Sequence, residues 1–397
     1  MILRARCVLT LDGAPIENGA VVVRHNFIED VGAWSDVRTT AAGEVVDLGD
    51  CILMPGLINA HCHLDYTNLR GAILPQLSFT DWIREINLKK AAMREEDYLA
   101  AVLNGIREAA RFGTTTIANL EAVPELIAKV PEERMRLWWF VEMIAVQRRV
   151  SALDTLASVS PHPRIGLAPH APYTAPSALY AETAYLANKH QLVATTHLAE
   201  SREEMEMFRD SRGELFDFMK KVGRDMDDCG GRTPIAWMFD GCDLIDDRWI
   251  VAHLNEITPE DFALLERAPR FYIVHCPRSH AFFGHAPFAF EKLRALRFDV
   301  CLGTDSLASN DDLSLFAEMR QFARIHPAVE AREVIEMVTT RAATALHQNH
   351  SLGQIRREFL ADLIAIPFAG KLDDAFESVV QFDREVAFRM VNGDISS

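Results

Sequence analysis

A chain of 397 residues, 49% hydrophobic and 25% charged, can bury one large core with a smaller satellite, because single cores stop growing near roughly 250–300 residues. No run approaches the ~20 consecutive apolar residues a membrane span needs, and the opening MILRARCVLTLDG lacks a secretory apolar block, so a cytoplasmic protein without membrane attachment is expected. A formal net charge of −16 repels polyanions, which excludes a nucleic-acid binder of the usual basic kind and leaves a small molecule as the expected partner.

The first fifty or so residues read as short strands with turns at Asp12-Gly13 and Asn18-Gly19. From about residue 55 to 345, β-branched or aromatic runs alternate with helical patterns, the rhythm of a parallel sheet. Eight runs can be counted: Leu57 to Leu64, Thr114 to Leu120, Arg136 to Ile144, Arg164 to His170, Leu192 to His197, Trp249 to Leu254, Phe271 to Cys276 and Phe298 to Thr304. Between them, Thr174-Ala175-Pro176-Ser177 and Thr258-Pro259-Glu260 are helix-start signals. Eight units predict a closed (β/α)8 TIM barrel over 55–345. The C-terminal stretch adds strand-like Ala361-Asp362-Leu363-Ile364-Ala365 and a turn at Val391-Asn392-Gly393-Asp394. Neither end makes a core alone, so residues 1–54 and 346–397 are expected to join in a small β-sandwich. Seven cysteines (7, 51, 62, 229, 242, 276, 301) show no CxxC pair, so free, packed thiols are expected rather than disulfides or a thiolate zinc site. A homodimer is compatible with the chain, without any residue pattern that specifies one.

The chemistry concentrates where strands end. In Pro55-Gly56-Leu57-Ile58-Asn59-Ala60-His61-Cys62-His63-Leu64-Asp65 two histidines two apart close the first run, and strand alternation points both to one face. An isolated HxH is often a pair of surface residues. Here it is accompanied by Thr196-His197-Leu198-Ala199-Glu200 after run five, Val251-Ala252-His253-Leu254 after six, Val274-His275-Cys276-Pro277 after seven and Leu302-Gly303-Thr304-Asp305 after eight. All fall at the barrel end that carries active sites. Three neutral imidazoles and a carboxylate suit one zinc or iron(II) ion with a position left for water; His61, His63, His197 and Asp305 are the expected ligands of a single divalent metal. A bound water with its pKa lowered towards ~7 then becomes a nucleophile. Glu200, three residues beyond a ligand, is expected as general acid and base, and His253 as the hydrogen-bonding partner of the developing oxyanion.

These motifs together resemble the amidohydrolase superfamily, in the branch of S-adenosylhomocysteine, guanine and aminodeoxyfutalosine deaminases and s-triazine hydrolases. The carriers are PGLINAHCHLD, LAPHAPYT, HLAE, the AH of run six, HCPRSH and LGTDSLASN, spread over nearly the whole chain. The resemblance implies that His61, His63, His197 and Asp305 hold one metal, that Asp305 also accepts a proton, and that His170 contacts substrate. Binuclear relatives use a carboxylated lysine at the fourth strand; Arg164 to Thr174 contains none, so a mononuclear site is implied. Leu77-Ser78-Phe79-Thr80-Asp81-Trp82-Ile83 resembles a loop whose tryptophan stacks on substrate, so Trp82 either stacks on a heteroaromatic ring or packs a helix. The ribose-binding glutamate that follows that tryptophan by nine positions in the S-adenosylhomocysteine branch is Ala91 here. Arg278 and Ser279, in Cys276-Pro277-Arg278-Ser279-His280, are assigned to substrate, Arg278 either clamping a carboxylate or serving a structural role. The CPRS-histidine segment, with Glu203-Glu204-Met205-Glu206-Met207-Phe208 after HLAE, is similar to aminodeoxyfutalosine deaminases of menaquinone synthesis. Hydrolytic deamination of a 6-aminopurine nucleoside is the implied reaction. An s-triazine chlorohydrolase or aminohydrolase, an S-adenosylhomocysteine- or guanine-type deaminase, and a non-catalytic barrel scaffold are the alternatives.

Overall fold

The computed structural model describes residues 1–76, 78–131, 135–159, 162–239 and 244–396; Leu77 and Cys242, both noted above, lie outside them. Strands β1 (Ile2–Val8), β2 (Ile16–Arg24), β3 (Phe27–Ala33), β4 (Val45–Asp47) and β5 (Cys51–Pro55) precede the barrel. The barrel strands are β6 (Leu57–His63), β7 (Thr114–Glu121), β8 (Arg136–Met143), β9 (Ile165–Pro169), β10 (Ala194–Leu198), β11 (Trp249–His253), β12 (Tyr272–His275), β13 (Asp299–Leu302) and β14 (Asp305–Ser306). β15 (Leu363–Pro367), β16 (Phe388–Val391) and β17 (Asp394–Ser396) end the chain.

The second sheet runs β13-β12-β11-β10-β9-β8-β7-β6-β14 with parallel pairing throughout. β13 and β14 are two pieces of one eighth strand, broken at Gly303-Thr304, and β14 pairs β6, so the sheet closes on itself as a barrel. Gly303 makes the closure possible. A Cβ there would stand 2.7 Å from the His61 carbonyl oxygen, and the neighbouring Thr304 N–H donates to that same carbonyl at 3.1 Å. Buried Ile58, Ala118, Phe140, Ile250 and Val274, drawn from five strands, share one apolar cluster. The long apolar runs read from sequence are these strands, because strands covered on both faces need few polar positions.

Both termini build one mixed sheet, β17-β16-β15-β5-β1-β2-β3 with β4 beside β1. It is a single sheet whose two ends meet, not two separate ones. Ile28 N–H donates to the Phe359 carbonyl and Ala361 N–H to the Asn26 carbonyl, while Asn26 Nδ2 reaches Asn392 Oδ1 at 3.4 Å. The chain passes from this sheet into the barrel at Gly56, between β5 and β6. Arg136, at the start of β8, pairs bidentately with Asp362 at 2.7 and 3.1 Å and ties the two sheets together.

Two local readings are corrected. Asn18-Gly19 is not a turn: both residues lie inside β2, with Asn18 at φ 43° and the β1 register unchanged on either side of it. The β2–β3 hairpin instead turns at His25-Asn26, where Arg24 pairs Phe27. Thr174 does not cap the helix that follows. That helix is Ser177–His190 with Pro176 as N-cap, and the Thr174 hydroxyl is committed to Ala171 and His170. The other start signal holds: Thr258 caps Pro259–Arg267 and forms a reciprocal box with Asp261. The six described cysteines are free. Among the described residues, no helix is long and apolar enough to cross a membrane.

Candidate metal centre and active site

The C-terminal ends of four barrel strands, β6, β10, β11 and β14, converge on one buried cluster. β6 delivers His61 and His63, ring centroids 5.2 Å apart; β10 delivers His197, whose Nε2 lies 3.2 Å from His63 Nε2. β14 delivers Asp305, with Oδ1 3.8 Å from the Nε2 of both His61 and His63. Ligands bound tetrahedrally at about 2.1 Å lie about 3.4 Å from one another, which is the spacing seen here. Both ring nitrogens of His61 are buried without a hydrogen-bond partner. Such orphaned acceptors are costly unless something else takes the lone pair, so these residues fit a divalent metal.

The surrounding contacts prepare each ligand. His197 Nδ1 meets the His170 carbonyl at 2.8 Å, which takes the Nδ1 proton and leaves the Nε2 lone pair facing the cluster. Burial holds His63 well below its ordinary pKa and His197 at about 4, so both rings are neutral. For Asp305, burial pushes the pKa upward, but the adjacent His61, with the nearby His253 and His63, outweighs it and holds the carboxyl well below the usual range. Its Oδ2 accepts from Ser279 Oγ at 2.7 Å, and its Oδ1 from the Ser306 N–H at 2.8 Å.

Glu200 and His253 stand beside this set, Oε1 to Nε2 at 3.6 Å. With Asp305 they form a second triad whose ligating atoms lie within 4.8 Å of one another, as do those of His61, His63 and His197. The two triads adjoin through Asp305, whose Oδ1 is 3.8 Å from both His61 and His63. Burial, then the nearby Asp305, raises Glu200 well above the carboxylate range. Burial lowers His253 well below its usual value, and its Nε2 has no partner. The backbone is left-handed at Ala199 (φ 50°), His253 (φ 78°) and Asp305 (φ 57°), a conformation that costs non-glycine residues energy and clusters at functional sites. The loop at Glu200 is fixed from several sides: its N–H donates to Glu204 Oε2 and its carbonyl accepts from Asn255 Nδ2.

A cavity of about 630 Å³ opens onto the cluster, lined among others by His63, His197, Glu200, His253 and Asp305. His170 and Trp82 also line it. Trp82 packs against Phe79 and Phe283 as well. Arg278 and Ser279 are not brought to the cavity wall. Arg278 pairs with Asp312 at 2.6 Å and Asp311 at 3.0 Å, and Ser279 lies behind Asp305. His275 also lies elsewhere, stacked on Phe288 at 4.0 Å. Ala91 is exposed, while the preceding Lys90 lines the cavity. Sequence reasoning missed Lys90, Arg148, Tyr66 and Glu142. For Glu142 a signal exists: it is the one acidic residue in the apolar run of β8, near that strand's C-terminal end.

A family profile described as "Amidohydrolase family" matches residues 52–396. A 5-methylthioadenosine/S-adenosylhomocysteine deaminase of Pyrococcus furiosus is 28% identical over 386 residues, covering 92% of this chain and 86% of the relative. Two solved structures share the fold. Helicobacter pylori aminofutalosine deaminase, in complex with methylthio-coformycin, superposes with a TM-score of 0.88 at 21% identity over 100% of both chains. The zinc complex of atrazine chlorohydrolase TrzN from Arthrobacter aurescens superposes at 0.83 and 18% identity, over 99% of this chain and 94% of that one. The chain therefore belongs to the amidohydrolase family, as a hydrolase built around a single divalent metal site.

Proposed function

We propose that the protein deaminates a 6-aminopurine nucleoside by hydrolysis, with zinc as the metal and aminodeoxyfutalosine as the favoured substrate. The observation that carries this reading is the Glu200–His253 pair, buried and 3.6 Å apart, beside the His61, His63, His197 and Asp305 set. A divalent ion held by those four side chains would lower the pKa of a bound water towards ~7 and so supply a nucleophile at neutral pH.

The chain's own residues do the rest. Glu200, held in its acid form by burial, donates a proton to the ring nitrogen adjacent to the carbon under attack. His253 presents a neutral imidazole to the oxygen on which charge develops. Asp305 takes the proton lost by the water, and the leaving amine departs as ammonia once a proton has been returned to it. Trp82, on the cavity wall, is the aromatic side chain for a purine to pack against. The acidic arm of the favoured substrate meets Lys90 and Arg148, cations on the cavity wall, rather than Arg278, which is paired with Asp311 and Asp312. Names of relatives support the substrate class: the Pyrococcus and Helicobacter proteins are described as deaminases of adenine nucleosides or aminofutalosine.

The test is ammonia release by zinc-loaded protein from a panel of aminopurine nucleosides that includes aminodeoxyfutalosine. Ammonia from a nucleoside is the expected result. Chloride or alkylamine release from s-triazines, with no ammonia from any nucleoside, would overturn the reading.

A further inference from the structure

Glu142 ends β8 beside His170, and its carboxylate lines the active-site cavity. Its side chain is only 4% exposed, yet among the described residues no hydrogen bond reaches either carboxylate oxygen. Its nearest polar partner is His170 Nε2, 3.9 Å from Oε1. That nitrogen cannot serve it. The Thr174 hydroxyl donates to the Ala171 carbonyl at 3.1 Å and so accepts from His170 Nδ1 at 2.7 Å, which places the ring proton on Nδ1 and a bare lone pair on Nε2. Two acceptors therefore stand side by side on the cavity wall, both without a donor. Both face the cavity, so a ligand that fills it displaces their water and must itself supply the donors they lack.

We propose that Glu142, with His170, is a specificity-determining pair that reads two neighbouring hydroxyl donors of the substrate, such as the vicinal diol of a ribose. Adjacent hydroxyls present two O–H groups at a spacing that two acceptors 3.9 Å apart can engage together. A cationic ligand is a poorer occupant, since Lys90 already lines the same cavity with a positive charge. This assignment rests on the nucleoside reading above and adds the part of the substrate that is recognised.

The experiment measures binding by calorimetry on zinc-loaded protein with inosine, 2′-deoxyinosine and 3′-deoxyinosine, so no turnover is needed. The wild type is expected to bind inosine roughly 10- to 100-fold tighter than either deoxy compound, the range for a hydrogen bond to a charged group. Glu142→Ala should erase that preference and Glu142→Gln should narrow it, with metal content and thermal melting confirming that both variants fold. A wild type with no preference, or a Glu142→Ala protein with the wild-type ratio, would overturn the assignment. Diol preference without ammonia release would remove deamination alone; ammonia release with a preference indifferent to Glu142 would remove this assignment alone; the absence of both removes both.

Discussion

At the scale of single residues the proposed roles separate metal holding from proton movement. Glu200 lies outside the set of His61, His63, His197 and Asp305 but within 3.6 Å of His253. Glu200→Gln should therefore keep the metal and lower kcat by about 10²- to 10⁴-fold, the usual contribution of a general acid and base, measured by turnover alongside metal analysis. Ser279 acts through another residue: its hydroxyl fixes the Asp305 oxygen that faces away from the imidazoles. Ser279→Ala should weaken metal affinity by about 10- to 100-fold in a chelator competition, as losses behind a metal ligand do, and Ser279→Thr should restore most of it. The histidines, Asp305 and Glu200 were legible in sequence because each closes an apolar run, where a polar side chain needs a reason. Arg278 was not. Its partners Asp311 and Asp312 lie in a loop more than thirty positions away, and local sequence says nothing of whether an arginine faces a cavity or an acid. Lys90 sits on a helix whose orientation over the barrel mouth only the fold defines.

At the scale of elements, the barrel strands were readable to within a residue or two, because continuous burial leaves runs of apolar side chains. The break in the eighth strand was not visible, since it depends on how closely Gly303 approaches β6. Gly303→Ala should destabilise the fold by about 1–3 kcal/mol, the cost of forcing extra volume into a packed site, and should reduce metal affinity as well because the contact is with His61. Chemical denaturation and metal titration check the two effects. The hairpin at Asn392-Gly393, with φ 56° and 81°, followed its sequence signal. Asn18-Gly19 carried the same signal inside a strand, where the neighbouring β1 overrides turn preference.

At the scale of the whole molecule, both chain ends meet in one sheet and the barrel lies between them in sequence. The arrangement depends on contacts between distant segments. Arg136 and Asp362 form such a contact, with side chains 14% and 5% exposed. Arg136→Ala leaves the Asp362 carboxylate buried without its counter-charge, which costs about 3–5 kcal/mol in comparable pairs; equilibrium denaturation should show a loss of this size. The barrel's rhythm was legible because it repeats, whereas the mutual closure of the terminal hairpins was not, being made of single hydrogen bonds such as Asn26 to Asn392. The central claim concerns the point on which the ends of β6, β10, β11 and β14 converge. Elemental analysis of protein purified without chelators tests it most directly: about one divalent ion per chain is predicted for the wild type and for Glu200→Gln, and essentially none for His197→Ala. A wild type that binds no metal, or a His197→Ala protein that retains a full equivalent, would contradict the account.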